Sequence, residues 1–422
     1  MQGIRGKVDY SVAAWLIVAV SAIFYSYDVL LRVAPSVMTS ELMDHYSINA
    51  YALSGVTAMY FYIYAPMQMP VGFLMDRYGP KQLLTMSGLI CSVGIYLFSM
   101  TNVVWVAMLS RVLIGFGSSF AFVGVLKLAS LLLPSSYFAF VSGSTMALGM
   151  LGATLGDHVL AYFKSSVGWR NVCIGASGIG LVLTFLMLIS IPSRSRMSEG
   201  LDVTSSFDQI RRDLMSVAKS RIIWIYALVG CLTYTPLILF AELFGIDFIQ
   251  VKFACTHVDA AKLNSLIFMG WLIGGPLVCM LSDFFKSRKL PLLVGTIGSL
   301  VCSWLIIYVN VPIVFLPFLL LLFGVLNSVQ VIVFPVAKDL SAASTTASAV
   351  ALMNMVCMLS GMMQTLVGRL LEYTHFVLER NSGVSAFTVV DYQISYLTIP
   401  IFLFIAVLLL ISVKDSYKED EF

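Results

Sequence analysis

Two opposite charges lie inside one of the most apolar stretches of this chain. Asp28 and Arg32 fall in the segment YSYDVLLRVAPS, which continues an apolar run that begins near Val12. A spacing of four residues places both side chains on one face of a helix, where they can pair. Each charge costs about 3 kcal/mol at the centre of a bilayer. The spacing indicates either a structural pair or a polar site, in which Arg32 holds a carboxylate and Asp28 carries a proton.

Arg111 and Lys127 are further charges within apolar segments. Arg111 stands among Leu, Val, Gly and Phe residues and needs a partner. It is a candidate for ligand contact or proton coupling, and the alternative is a structural bond to backbone carbonyls. Lys127 lies nearer the end of its segment, where its long side chain is expected to reach the cytoplasmic surface.

Uncharged polar side chains add candidate ligands for a polar solute. Tyr60, Tyr64 and Gln68 recur every four residues and form one stripe on a helix. The other candidates are Tyr25, Tyr234, Asn327, Gln330 and Asn354. Hydroxyls and amides also hold membrane helices together, so packing between helices is the alternative for each of them.

The composition identifies an integral membrane protein. Of 422 residues, 59% are hydrophobic and 11% are charged, whereas soluble domains carry about 25% charged residues. A spanning helix needs about 20 mostly apolar residues. Twelve segments qualify, near residues 11–37, 50–75, 82–100, 103–132, 138–163, 169–192, 221–248, 259–284, 290–309, 313–337, 344–368 and 394–413. The polar stretch 193–220 divides them into six plus six, which predicts an all-α membrane protein.

The distribution of Lys and Arg predicts that both termini are cytoplasmic. With the N-terminus inside, cytoplasmic segments hold sixteen of these residues and outer segments six, including Arg194, Arg196 and Arg211 on the inside. The first apolar run is longer than the core of about 7–15 residues in a cleavable signal peptide. In this orientation Glu242 and the Asp157-His158 pair fall in the outer halves of their segments. They are either gates or proton entries, or residues of the wet membrane interface.

Several classes of function lack support. A net charge of +3 without a basic stripe does not suggest nucleic acid, and the seven scattered cysteines show no metal-ligand spacing. The chain contains no GxxxxGK[ST] loop and no HExxH motif. We therefore expect no enzyme activity, no cofactor and no metal.

Two loops in the chain resemble each other. GFLMDRYGPKQLL contains Asp76 and, five residues later, Lys81, while CMLSDFFKSRKLP contains Asp283 and, five residues later, Arg288. The offset of 207 residues between the two aspartates is close to half the chain, so an internal duplication is the simplest account. This predicts two pseudo-symmetric six-helix halves, residues 1–192 and 221–422, joined by a cytoplasmic linker.

These motifs resemble the major facilitator superfamily. GFLMDRYGPK matches the loop signature G-x-L-x-D-R-x-G-x-[RK], and RVLIGFG from Arg111 matches R-x-x-x-G-x-G. GWR at 168–170 is also common in that family. More narrowly, LRVAPSVMTSELM and FAELFGIDF look like the proteobacterial phagosomal amino-acid transporter family and bacterial relatives of lysosomal dipeptide transporters.

The resemblance implies a major facilitator fold in which the two halves rock about a central site. Asp76 is expected to face the start of the eleventh helix, while Arg77 and Lys81 pair with acidic partners. The implied conformational latch comprises Gly72, Asp76, Arg77, Gly79, Lys81, Asp283 and Arg288. Arg111 is implied to lie at the depth of Asp28 and Arg32, which leaves a surplus of positive charge and suits an anionic or zwitterionic substrate.

The expected function is proton-coupled uptake of a small carboxylate-bearing nutrient, an amino acid or a short peptide, by a monomer in a bacterial inner membrane. The partners are this substrate, protons and the lipid bilayer. Span five carries a smooth face of Gly143, Gly149, Gly152 and Gly156 and lacks the proline of antiporters, which favours symport or uniport. Alternatives are an exporter of drugs or organic acids, a nucleoside or sugar-acid transporter, a non-transporting receptor, and a channel.

Overall fold

The computed structural model describes residues 12–134, 137–192, 212, 215–342, 345–382 and 386–417. Within these residues the protein is an all-helical membrane protein with twelve spanning helices in two six-helix halves, and a short helix, Thr39–Tyr46, lies between the first two of them. The first half contains α1 (Val12–Val37), α2 (Ala50–Met67 and Pro70–Tyr78), α3 (Pro80–Met100), α4 (Val104–Leu132), α5 (Phe138–Leu155, Gly156–Leu160 and Ala161–Val167) and α6 (Trp169–Ser190). The second half contains α7 (Arg221–Phe253), α8 (His257–Phe284), α9 (Lys289–Tyr308), α10 (Ile313–Leu340), α11 (Thr346–Met358 and Gln364–Ser382) and α12 (Val389–Ser412). We call the end at which α1 begins the inner end, following the predicted orientation, and the opposite end the outer end.

Among the described residues, ten of these helices are long and apolar enough to cross a membrane. The second and fifth helices are not among the ten, and the helical hydrogen bonding of both changes part-way. In α2 the first α-helical piece ends at Met67, before Pro70, which has no N–H to donate. In α5 the α-helix passes into a π-helical turn at Gly156–Leu160.

Two prolines, Pro236 in α7 and Pro335 in α10, lie where the helical pattern changes. Pro236 is the last residue of the α-helical part of α7, and a π-helix, Leu237–Phe244, follows it. In α10 a 3₁₀ stretch, Ser328–Ile332, directly precedes the turn that contains Pro335. Both changes occur beside the centre of the bundle, where a departure from the regular ladder presents different side chains to the interior.

Three helices extend five or more residues further than the sequence predicts. Helix α7 continues to Phe253 rather than 248, α11 continues to Ser382 rather than 368, and α12 begins at Val389 rather than 394. All three extensions contain charged residues, so hydropathy alone does not detect them. The linker is described only at Arg212 and from residue 215 onward, so Arg194, Arg196 and Arg211 lie outside the described residues.

The two halves repeat an ion pair at their inner ends with reversed polarity. In the first half Lys127 on α4 pairs with Asp76 at the end of α2, at 2.6 Å. In the second half Arg288, after α8, pairs with Asp283 at 2.6 Å and with Asp339 on α10 at 2.9 Å. Lys127 thus lies near the inner end, as predicted, but it is a partner of the loop motif rather than an isolated lysine.

Gly79 forms a tight turn in the loop motif. Its φ of 83° ends one helix and begins the next, and Gly168 repeats this conformation with a φ of 81°. Residues with a side chain rarely adopt this backbone. At Gly72, in contrast, an added Cβ meets nothing within 4 Å. Arg77 lies in the last turn before Gly79, with its guanidinium 5.6 Å from the ring centre of Tyr78.

The glycine face of α5 packs on α1 along most of its length. An added Cβ would come within 3.0 Å of α1 at three positions: Gly149 against Tyr25, Gly152 against Ser26 and Gly156 against Val33. The predicted packing face is confirmed at these three positions. Gly143, the fourth residue of that face, has nothing within 4 Å of its Cβ position.

We expect Gly152→Ala to destabilise the protein and Gly143→Ala to leave it nearly unchanged. The new methyl at position 152 would lie 2.1 Å from the backbone oxygen of Ser26, and such overpacking costs about 1–3 kcal/mol. Both substitutions change helix propensity equally, so Gly143→Ala is a matched control. Thermal unfolding in detergent measures the difference. Equal melting temperatures for the two variants would show that α1 and α5 are not in close contact.

Candidate functional site

A buried salt bridge joins the two halves. Arg32 on α1 donates from Nη2 to Oε1 of Glu242 on α7 at 2.7 Å, and their side chains are 5% and 1% exposed. Glu242 lies in the π-helical part of α7. The guanidinium Nε and the carboxylate Oε2 have no hydrogen-bond partner. The contact therefore uses one nitrogen and one oxygen, and it leaves donors of Arg32 available.

Asp28 is buried beside this pair, but it is not the salt-bridge partner of Arg32 that the spacing allows. Arg32 forms its salt bridge with Glu242 instead. The hydroxyl of Tyr60 donates to Oδ1 of Asp28 at 3.5 Å, which is a long hydrogen bond. Asp28 is therefore a buried carboxyl group with a weak partner, close to Arg32 in the chain and on the same helix.

Arg111 braces the backbone of α1. Its Nη1 and Nη2 donate to the carbonyl oxygens of Leu31 and Arg32 at 2.9 and 3.2 Å. Its guanidinium also lies 5.2 Å from the ring centre of Tyr60, which is cation–π geometry. These bonds are the backbone alternative stated for Arg111 in the sequence analysis. They fix the helix turn that carries Arg32.

The polar stripe of α2 faces the interior. Tyr60 and Tyr64 are buried and stacked, with ring centres 5.3 Å apart, while Tyr62 is 43% exposed on the opposite face. Gln68 is buried, and its Oε1 accepts from Nδ2 of Asn354 on α11 at 2.9 Å. The stripe thus reaches from the neighbourhood of Asp28 to a second contact between the halves.

The polar residues of the second half differ in whether they already form hydrogen bonds to other helices. Asn327 donates to the carbonyl of Thr233 at 2.7 Å and accepts from Trp271 at 3.2 Å, and Gln330 donates to Sγ of Cys357 at 3.2 Å. These are bonds between helices of one half. Tyr25 and Tyr234, in contrast, lie near Arg32.

Glu242 and Asp157 are buried, so the wet-interface alternative is wrong for both. Asp157 accepts from Nδ2 of Asn264 at 2.7 Å, and the same nitrogen donates to the carbonyl of Ala241 at 2.9 Å. Sequence reasoning missed Asn264 altogether. The signal for Glu242 was present, since uninterrupted apolar residues from Pro236 to Ala241 precede it.

Further polar contacts close the outer end between the halves. Thr39 donates to Asp247 at 2.6 Å. Lys164, at the outer end of α5, pairs with Glu41 at 2.7 Å and lies 3.3 Å from Nε2 of His257 on α8. Because the Thr39–Asp247 and Lys164–His257 contacts join the first half to the second, the outer end is shut above the Arg32 pair.

The electrostatics of Glu41 are consistent with a formed ion pair. Burial acts to raise the pKa of this carboxyl, but the hydrogen bond and charge of Lys164 outweigh burial and hold the pKa below its usual range. Because the folded pKa is depressed, the pair contributes stability at neutral pH, and this contribution is lost as the pH falls through the folded pKa.

A family model described as the Major Facilitator Superfamily matches residues 14–365. The chain belongs to this superfamily. The family and the fold are those of transporters. The prediction of a major facilitator protein, which was based mainly on the GFLMDRYGPK loop motif and the RVLIGFG helix motif, is confirmed.

Known proteins similar to this superfamily member differ in their named solutes. A probable sulfoacetate transporter of Cupriavidus necator is 26% identical over 172 residues, which are 40% of each chain. A probable galactarate/D-glucarate transporter of Bacillus subtilis is 21% identical over 337 residues, covering 70% of this chain and 74% of the relative. The chain matches less than half the length of the first relative. A crystal structure of a bacterial homologue of the human lysosomal transporter Spinster, inward-facing and unoccupied, superposes with a TM-score of 0.76 at 14% identity, over 97% of each chain.

Glu242 changes the charge count expected for this superfamily member. Asp28, Arg32 and Arg111 alone leave one surplus positive charge, and Glu242 cancels it. The four charges are buried and sum to zero when all are ionised. The buried groups therefore carry no surplus positive charge, contrary to the prediction, because the count made from the sequence left out Glu242 of α7.

We expect replacement of either Arg32 or Glu242 alone to destabilise the protein more than replacement of both residues. Arg32→Met or Glu242→Leu leaves the opposite charge buried without its partner, which costs about 3–5 kcal/mol, whereas replacing both by apolar groups is often nearly neutral. Thermal unfolding of the two single variants and the double variant measures the coupling. The exposed pair of Asp259 and Lys262 is the control, since its removal should leave the melting temperature unchanged. Additive single and double effects would exclude a stabilising pair.

Proposed function

We propose that the protein takes up a small carboxylate-bearing solute together with a proton, by alternating access. The observation that carries this proposal is the single-point contact of Arg32, a buried guanidinium between the halves whose Nε has no partner. A guanidinium has five N–H donors in a planar fork and binds carboxylates in pairs of hydrogen bonds. A substrate carboxylate can therefore bind Arg32 while Glu242 remains in place.

Charge balance supports coupling to a proton. The buried charges of Asp28, Arg32, Arg111 and Glu242 sum to zero, so an incoming anion makes the buried site negative. An uncompensated charge in an apolar interior is strongly disfavoured. A proton that binds with the anion removes this penalty. We assign the proton to Asp28, because this carboxyl group is buried, Arg32 is paired with Glu242 instead, and the hydrogen bond from Tyr60 is long at 3.5 Å.

The surrounding polar groups supply further contacts to the solute. Tyr25 and Asn354 are half-buried, and Tyr60, Tyr64, Gln68 and Tyr234 are buried around the same region. We propose these six as substrate contacts. Asn327 and Gln330 are already bonded within the second half, so we propose that they act on the substrate by holding α7, α10 and α11 in place. Arg111 acts on coupling in the same indirect way, through the backbone of Arg32.

Two solute classes fit, and they differ in the charge that they bring. An amino acid or short peptide, the class predicted from the sequence, carries an ammonium group that Asp28 or Glu242 can bind. A sugar acid or another organic acid carries only negative charge, and the names of the sulfoacetate and galactarate/D-glucarate transporters favour this second candidate. Binding of the purely anionic solutes should strengthen at lower pH, since it requires the extra proton.

The proposed cycle moves two bodies, residues 1–192 and 221–422, relative to each other within a monomer. The proposed setting is the inner membrane of a bacterium, with both termini and the linker 193–220 in the cytoplasm. The inner loops act as the latch through the residues given in the sequence analysis. Their ion pairs, Asp76 with Lys127 and Arg288 with Asp339, hold each loop to its own half while the halves rock.

A thermal-shift screen of the purified protein tests the solute class. Ligands that bind only the folded state raise the melting temperature by mass action. We expect stabilisation by amino acids, dipeptides or sugar acids, and none by nucleosides or neutral sugars, with Arg32→Gln losing the effect. Tyr62→Phe, on the lipid-facing side of α2, is the control and should keep it. Stabilisation by uncharged solutes alone would overturn the role of Arg32.

Transport by Asp28→Asn in proteoliposomes tests the proton carrier. We expect this variant to keep counterflow exchange of the solute, because Arg32 and Glu242 are intact, and to lose accumulation driven by a pH gradient. Asp259→Asn, in an exposed pair at the outer end of α8, is the matched control and should accumulate solute normally. Unchanged pH-driven accumulation by Asp28→Asn would exclude Asp28 as the carrier.

A further inference from the structure

A second buried carboxyl group lies outside the site described above. Asp157 is 0% exposed and stands in the π-helical turn Gly156–Leu160 of α5. Its Oδ2 accepts a hydrogen bond from Asn264 at 2.7 Å, and its Oδ1 has no partner. A carboxylate offers about four acceptor sites. One neutral donor is therefore a poor replacement for the water that this group loses on burial.

The single partner of Asp157 belongs to the other half of the protein. Asn264 on α8 uses one nitrogen to bind both Asp157 and the carbonyl of Ala241, the residue before Glu242. The π-helical turn of α5 and the π-helix of α7 thus meet at this amide. π-helical turns within α-helices occur frequently at functional sites. The contact exists only while the outer ends of the two halves are together.

The charged groups around Asp157 are engaged elsewhere. Arg32 on α1 binds Glu242, which lies beyond Asn264 and adds negative charge near Asp157. On the outer side, Lys164 binds Glu41 and contacts His257. Within the described residues, no cation is within salt-bridge distance of Asp157.

The remaining titratable residues near Asp157 also have other partners. His158, beside Asp157 in the chain, lies 3.4 Å from the carbonyl of Thr154 through Nδ1. Asp259 and Lys262, on the turns of α8 before Asn264, pair with each other in solvent. Burial without a cation, next to another carboxylate, disfavours the charged form of Asp157.

We propose that Asp157 is a second proton-binding site, separate from Asp28, whose occupancy is tied to closure of the outer end. When the halves separate at the outer end, Asn264 withdraws and Asp157 meets outside water as a carboxylate. Closure buries this carboxylate, so Asp157 first takes a proton from hydronium in the outside solution. An O–H bond forms on the carboxyl group, and the hydronium becomes water. The inference rests on the proposed function only in treating the protein as a proton-coupled transporter that opens outward.

A distance measurement by electron paramagnetic resonance tests this directly and requires no substrate. Spin labels are attached to cysteines introduced in place of Val167, at the outer end of α5, and Val309, at the outer end of α9. Both positions are exposed. The two half-buried native cysteines, Cys255 and Cys279, are replaced by serine. Because no solute is added, the result does not depend on whether the proposed substrate is correct.

We expect the outer-closed population of the wild type to fall as the pH rises. The closed state binds one proton more tightly than the open state, so the ratio of closed to open should fall about tenfold per pH unit within the transition. Asp157→Asn, an isosteric neutral mimic of the protonated group, should stay closed at every pH. His158→Gln, one residue along the same turn, should retain the wild-type pH dependence.

Three outcomes decide the proposal. Loss of the pH dependence in Asp157→Asn alone supports it. Full wild-type pH dependence in Asp157→Asn, or outer distances in the wild type that do not change with pH, overturns it. If Asp157→Asn does not fold, Asp157→Ser removes the same carboxyl and carries the same expectation. Failure of solute transport with an intact pH-dependent distance change would instead count against the proposed substrate.

Discussion

A guanidinium and a carboxylate meet at one 2.7 Å hydrogen bond in an apolar interior, and much of the central structure is arranged around that contact. Desolvating both ions is expensive, so the pair has to be held in good geometry to persist. Arg111 supplies part of this support, because it fixes the carbonyls of the turn that carries Arg32. The π-helix of α7 supplies the rest by presenting Glu242 towards α1. Since the pair also joins the two halves, the same contact bears on stability and, in the proposed function, on substrate binding and on the movement of the halves.

The fold was predictable from the sequence because its signals are local. Length and apolar content within about 20 residues identify a membrane helix, and the predicted starts and ends of most helices agree with the structure to within four residues. The exceptions have a physical reason. Helices α7, α11 and α12 extend into charged sequence beyond the apolar run, where backbone hydrogen bonds within the helix, rather than transfer into lipid, maintain the structure.

The site was predictable in its members but not in its pairings. Buried charges are rare enough in a membrane that Asp28, Arg32 and Arg111 stand out by type alone. Their partners depend on which helices adjoin, and Glu242 is 210 residues from Arg32 in the chain. Asn264 shows the limit most clearly. An asparagine near the end of a helix is ordinary in sequence, and its bonds to Asp157 and Ala241 follow only from the packing of α8 between the halves.

The inner ion pairs have a consequence for how the chain assembles. The acidic member is Asp76, in the loop motif at the end of α2, in the first half, and Asp339, on α10, in the second half. Exchanging these loops between the halves would set Asp76 against Asp339 and Arg288 against Lys127, which are like charges. Each half therefore recognises its own loop. Because Asp76 and Lys127 both precede residue 193, the emerging chain can complete this pair before the ribosome has made the second half.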